Sequence, residues 1–258
     1  MEFSKEQQLA FDKYIQGNNV FITGPGGTGK SSLIKHIYKD ACRKGINIHV
    51  CALTGCAAVL LECKAKTIHS WGGIGLANGT IQQIITKINK NKFAKANWKK
   101  TNILIIDEVS MMSHKLFQIL DAIGKTIRKN PKPFGGIQLL FSGDFYQLPP
   151  VGNINEIETI EFCFQSPLWE QTFILDNHIQ LIKIFRQTDT KYQKILNQIR
   201  EGRIKKSTNL ALINNVCRKI IDDKNVKPTK LFPTRNQVDN INITEMNKIE
   251  KERKIESQ

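Results

Sequence analysis

The chain has 258 residues, enough for one large or two smaller domains with real cores. Its 38 Lys and Arg against 23 Asp and Glu give a formal net charge of +15, which fits a polyanionic partner, nucleic acid ahead of a membrane surface, or a general lysine bias in a Lys-, Ile- and Asn-rich sequence. No apolar run approaches the roughly 18 residues that a membrane-spanning helix needs, and the acidic, polar start MEFSKEQQ is unlike a secretory or mitochondrial leader.

In chain order, Ser4 with Gln7 three residues later reads as a capping box that opens a helix to about Gln16. A strand over Val20 to Thr23 runs into GPGGTGKS, Gly24 to Ser31, and an amphipathic helix from Ser32 to Lys44 follows. Ile46 to Leu53 is the next strand, and Thr54 starts another turn and helix. Residues 72 to 100 break the rhythm with Gly-rich and then Lys- and Asn-rich sequence, as an insertion on the core would. The rhythm resumes with the apolar strand Ile103 to Asp107 and a helix over Lys115 to Arg128 carrying Leu116, Ile119, Leu120, Ile123 and Ile127 on one face. Ile137 to Phe141 is a further strand, ending at Gly143 and Asp144. Strands alternating with helices predict an α/β fold with a mostly parallel sheet covered on both faces. The six cysteines, Cys42, Cys51, Cys56, Cys63, Cys163 and Cys217, form no C-x-x-C pair. Reduced, shielded thiols are expected, with a zinc site of Cys51, Cys56, Cys63 and His69 as the alternative.

The octapeptide has the spacing G-x-x-x-x-G-K-S between a strand and a helix, the setting of a phosphate-binding P-loop. Gly24, Gly26, Gly27 and Gly29 let the backbone turn its N–H groups onto phosphate oxygens, with Pro25 and Thr28 in the same loop. The following helix, through Ser31 and Ser32, presents the positive end of its dipole. Lys30 suits the β- and γ-phosphates of ATP, and the Ser31 hydroxyl suits Mg²⁺. In ILIIDEVS, Asp107 at the strand tip is placed to hold the metal ion, and Glu108 to orient and deprotonate an attacking water. The alternative for this pair is a helix cap. In FSGDFYQLPPV, Gln147 is a candidate γ-phosphate contact, and Phe145 and Tyr146 offer faces for base stacking. A proline-ended turn with core aromatics explains the same stretch.

These motifs, in this order, resemble the PIF-type (petite integration frequency) DNA helicases, superfamily 1B relatives of RecD, from Phe3 to about Asn242. SKEQQLAF is similar to the adenine-contacting motif, with Gln7 in its glutamine position. ALTGCAA and TIHSWGGIGL resemble single-strand-contacting motifs; IIDEVSMMSHKLFQILD and FGGIQLLFSGDFYQLPPV resemble the metal-binding and sensor motifs. IFRQTD with LNQIREG, and LFPTRNQVDNIN, resemble the opening of a second motor domain. The resemblance implies a RecA-like P-loop NTPase in which Gln7 reads adenine and Arg186 acts as an arginine finger. It also implies DNA contacts at Thr54, Lys66, His69, Ser70 and Arg235. The insertion, about residues 76 to 100, falls where the family places a duplex-separating wedge. Its Lys87, Lys90, Lys92, Lys95, Lys99 and Lys100 suit a phosphate path and Trp98 could pack or stack, whereas a solvated Lys-rich helix explains them nearly as well.

Two late motifs of the family, similar to T-x-H-K-S-Q-G and Y-V-A-L-S-R, do not occur, and the final charged segment carries an apolar stripe of Val238, Ile241, Met246 and Ile249. The expected organisation is a first RecA-like motor domain, 1–180, containing the wedge, and an incomplete opening of a second, 181–258. The expected function is ATP-dependent 5′-to-3′ DNA unwinding in repair, recombination or telomere and replication maintenance, impaired in this chain alone. The alternatives are an ATP- and nucleic-acid-binding partner protein without motor activity, and a P-loop enzyme acting on a small molecule. The expected partners are single-stranded DNA, duplex junctions and a polypeptide supplying the rest of the second motor domain, with no membrane. The expected place is inside the cell: nucleus, cytoplasm or viral replication site.

Overall fold

The computed structural model describes residues 3–216 and 229–256, so Cys217 lies outside the described residues. The chain forms two units, one up to Lys205 and one from Lys206 onward. In the first, helix α1 (Lys5–Ile15) begins where expected. Ser4 Oγ accepts from the Gln7 amide (3.2 Å), and Gln7 Oε1 accepts from the Ser4 amide (3.0 Å), so two otherwise unpaired N–H groups are satisfied.

Strands β1 (Val20–Thr23), β2 (Ile48–Ala52), β3 (Lys66–Thr67), β4 (Ile103–Asp107), β5 (Gln138–Gly143) and β6 (His178–Gln180) form one sheet in the order β3-β2-β4-β5-β1-β6. Every pairing in it is parallel. Parallel pairing requires crossovers, which the helices supply, and both faces of the sheet are therefore buried. Alternation along β4 shows the division. Ile103 and Ile105 join the core under α1 and α2 (Lys30–Arg43), while Leu104 and Ile106 join the core under α7 (His114–Arg128). The short helices α3 (Gly55–Leu60) and α4 (Ile68–Gly72) bracket β3, with Thr54 and Thr67 as side-chain caps. Gly124 lets α7 press onto the chain at Phe134, because a β-carbon there would stand 2.6 Å from the Phe134 carbonyl carbon.

The insertion differs from a solvated lysine-rich helix. It folds as two helices, α5 (Ile81–Lys90), opened by a Thr80–Gln83 capping box, and α6 (Lys92–Lys100). Ile84, Ile85, Ile88, Ala94 and Trp98 are buried in the same core as α7, while most of the lysines face solvent. Trp98 is not free to stack on a base. It is fully buried, its ring lies 4.7 Å from that of Trp71, and its indole N–H donates to Gly72 O at 2.9 Å. Arg128 fastens the hairpin to α7 by donating from Nη1 to the carbonyls of Trp98, Lys99 and Thr101, and from Nε to Gly135. The hairpin tip carries the most exposed phenylalanine among the described residues, Phe93, 86% exposed between Lys92 and the half-buried Lys95.

After β5 the chain runs through short turns and α8 (Leu168–Thr172) to β6, then through an extended stretch to α9 (Thr190–Arg200). The second unit contains α10 (Lys206–Val216) and α11 (Arg235–Glu256); Val238, Met246 and Ile249 of the stripe are exposed.

Candidate active site

Parallel strands end on the same side, so their C-terminal loops share one rim. That rim brings together Gly24 to Lys30 after β1, Asp107 and Glu108 at the end of β4, and Asp144 to Gln147 after β5. The P-loop takes the backbone form that its glycines permit, with Gly24, Gly27 and Gly29 all at positive φ. Lys30 Nζ donates back to Gly24 O (2.6 Å) and Pro25 O (3.1 Å). Thr28 is buried, its hydroxyl donating to Pro25 O, whereas Ser31 on the first turn of α2 is exposed and Ser32 half-buried. One hydroxyl and one carboxylate, Ser31 and Asp107, are hard oxygen donors of the kind Mg²⁺ takes, with water completing its shell.

The electrostatics follow from burial. Asp107 is buried, which raises its pKa above the ordinary aspartate value, with the Ser142 hydroxyl, the Glu108 amide and Lys30 opposing. Glu108 is raised first by burial and then by the charge of Asp107. It also sits at φ 57° and ψ 41°, in the left-handed region that a non-glycine residue rarely holds, as strained functional positions often do. Lys30 is lowered by burial and by the Arg200 charge, while Asp144, Asp107 and Glu108 pull it upward.

Gln7 is buried behind the P-loop. Its Nε2 donates to Thr28 O (3.3 Å) and more weakly to Gly29 O (3.5 Å), while its Oε1 stays in the capping box. The extended stretch after β6 crosses the P-loop from outside. The Phe185 amide donates to Gly27 O at 2.8 Å, and a β-carbon on Gly27 would stand 2.7 Å from Arg186 Cβ. Exposed Arg186 and Gln147 thereby line one cleft of about 280 Å³ with Pro25, Gly26, Asp144 and Arg200.

The proposed base-stacking pair divides. Phe145 is packed among Phe21, Phe162, Phe164 and Trp169, with ring centroids 4.7–6.0 Å away, and belongs to the core rather than to a ligand face. Tyr146 is exposed, yet one face is covered by the Arg200 guanidinium at 4.3 Å. Thr54, Lys66, His69 and Ser70 gather at the C-terminal ends of β2 and β3, well along the sheet from β1. The Thr54 hydroxyl caps α3 (3.3 Å to the Ala57 amide), Lys66 and Ser70 are exposed, and burial lowers the His69 pKa. His69 lines a cleft of about 510 Å³ with Leu53, Asn78, Lys115 and Val151. Arg235 is the first residue of α11, in the second unit.

Among the described residues no cluster of three or more His, Cys, Asp or Glu could hold a metal ion, so Cys51, Cys56, Cys63 and His69 form no zinc site, and no helix is long and apolar enough to cross a membrane. Sequence reasoning missed Asp144 and Arg200 as partners. Fifty-six residues separate them, and no local spacing signals such a pair.

The sequence model of the PIF1-like helicase family matches residues 2–210. The ATP-dependent DNA helicase RRM3 of Saccharomyces cerevisiae is 41% identical over 231 residues, 88% of this chain and 31% of that protein. The ATP-dependent DNA helicase PIF1 of Candida albicans is 38% identical over 258 residues, 96% of this chain and 28% of that protein. The crystal structure of the Candida albicans Pif1 helicase superposes with a TM-score of 0.88 at 36% identity, covering 96% of this chain and 55% of that one. The Bacteroides Pif1 helicase in complex with ADP-AlF3 and ssDNA gives 0.79 at 28% identity, covering 96% and 57%. The chain thus spans about a third of the length of the curated relatives it matches. With that match over most of its length, the chain belongs to the PIF1-like helicase family.

Proposed function

We propose that this chain carries the nucleotide site of an ATP-dependent DNA helicase moving 5′ to 3′ on single strands. The observation that carries the reading is the convergence of Lys30, Asp107, Glu108 and Gln147 on one rim of a parallel sheet, with Arg186 brought over the P-loop. Gly24 to Ser32 cradle the triphosphate, and Gln7 borders the adenine. Ser31 and Asp107 would hold Mg²⁺, which would supply charge neutralisation for phosphoryl transfer. Glu108 takes a proton from the attacking water; burial and Asp107 raise its pKa, which makes it a stronger base than an ordinary glutamate. Gln147 and Arg186 contact the γ-phosphate, and Lys30 leaves its loop carbonyls for the stronger phosphate acceptors.

DNA follows the far end of the same rim, where Thr54, Lys66, His69 and Ser70 contact the strand; Arg235, in the second unit, is a further DNA contact. The α5–α6 hairpin is the wedge at a duplex junction. Residues 1–180 make up the first motor domain and 181–258 belong to the second. With DNA as substrate, its proposed place is inside the cell, in genome maintenance.

The test is ATP hydrolysis with and without single-stranded DNA, beside Lys30→Ala. DNA-stimulated turnover abolished by the substitution supports the motor reading. Salt-dependent DNA binding without turnover replaces it with a nucleic-acid-binding protein, and neither outcome leaves a small-molecule P-loop enzyme.

A further inference from the structure

Asp144 is 1% exposed, and each of its oxygens is engaged. Arg200 Nε donates to Oδ2 and an Arg200 terminal nitrogen to Oδ1, both at 2.7 Å, a fork-to-fork pair. The same carboxylate accepts from the Tyr146 amide (3.2 Å, Oδ1) and from Gln147 Nε2 (3.4 Å, Oδ2). The Gln147 amide donates to Asp144 O at 2.8 Å, and the Arg200 plane covers the Tyr146 ring. Arg200 therefore holds the Asp144–Gln147 turn in two ways, by its fork on Asp144 and by its guanidinium over the Tyr146 ring. It ends α9, whose chain begins at the stretch bearing Arg186 and bound to Gly27 through Phe185.

A buried ion pair is weak support for stability, because desolvating both charges offsets most of their attraction. Its value lies in direction: two planar groups locked at two points fix an orientation that a single contact leaves free. We propose that Arg200 is a positioning residue that acts through Asp144 to aim the Gln147 side chain at the γ-phosphate and to tie that aim to the Arg186 stretch. A shift of either segment is felt by the other. The proposal rests on the nucleotide reading above for its consequence, but not for its geometry.

Two measurements on the 258-residue chain separate the two. In the nucleotide-free chain, Arg200→Gln should speed amide hydrogen exchange at Tyr146 and Gln147 by about tenfold, with α2 amides unchanged. With ADP and the slowly hydrolysed analogue ATPγS as probes, Arg200→Gln should lose the ATPγS-over-ADP preference to the level of Gln147→Ala, and the double variant should lose no more. Arg200→Lys, which keeps the charge but not the fork, should behave like Arg200→Gln; it serves as the second variant if Arg200→Gln does not fold. Unchanged exchange, or a preference retained in Arg200→Gln but lost in Gln147→Ala, overturns the proposal. Wild-type chain that binds neither nucleotide sinks the nucleotide reading, and exchange alone then decides whether Arg200 orders the turn.

Discussion

Trp98→Ala tests whether the α5–α6 hairpin is part of the motor core or a tool attached to it. The side chain is fully buried, packed at a tilt against Trp71 and bonded to the buried Gly72 carbonyl. Truncating a buried tryptophan costs about 3–5 kcal/mol, and an unpaired buried carbonyl costs about 1–3 kcal/mol within or beyond that. For a unit of this size each kcal/mol moves Tm by about 2–4 °C, so calorimetry should show a fall of roughly 6–20 °C. Trp98→Phe, which keeps much of the ring but not the N–H, should cost about 1–3 kcal/mol. A fall below about 2 °C for Trp98→Ala refutes the shared core. Weakened DNA binding at unchanged Tm would restore Trp98 as a stacking residue.

Phe93→Ser should do the opposite, leaving Tm within about 1 °C because little area is buried, while weakening fork-DNA binding; a large Tm change would show that the exposed ring is packed after all. The rate of ATP hydrolysis should fall on acidification at a pH above the ordinary glutamate range, because burial and Asp107 raise the Glu108 pKa and the base is lost as pH drops through that raised value. An acid limb at an ordinary glutamate pKa would contradict this. Asp107→Asn should abolish hydrolysis yet raise Tm at neutral pH. The raised pKa means that the ionised carboxylate costs stability above it, a cost relieved as pH falls, so the gain should shrink on acidification. Native thiol labelling mapped by mass spectrometry should modify exposed Cys42 and Cys56 before Cys51, Cys63 and Cys163, whose pKa values burial raises. Equal rates would argue against the packing around Cys51 and Cys163.

The parts of the fold set by local chemistry were legible. A capping box, glycines before a Lys-Ser pair, and apolar strands ending in carboxylates each declare themselves within a few residues, and each stands where it was expected. The insertion misled because lysines and asparagines dominate its composition. The stripe of Ile84, Ile85 and Ile88 behind the Thr80–Gln83 box marked a buried helix, and helical period outweighs composition there. Phe145 and Trp98 could not be sorted from sequence, since an aromatic ring serves a core or a base equally well. The Asp144–Arg200 pair was invisible because only the tertiary fold brings α9 to the β5 rim.

The strand order also dictates when during synthesis the site can exist. β1, which carries the P-loop, borders only β5 and β6, and both follow it by more than a hundred residues. At ribosomal speeds of roughly 5–20 residues per second, β1 emerges and then waits on the order of 5–25 s for its first neighbour. Meanwhile β2 and β4 can pair, and the α5–α6 hairpin between them is already made. A nascent chain shorter than β5 therefore holds a complete GPGGTGKS without the sheet that shapes it, and competence to grip nucleotide arrives late, when the sheet closes around its earliest strand.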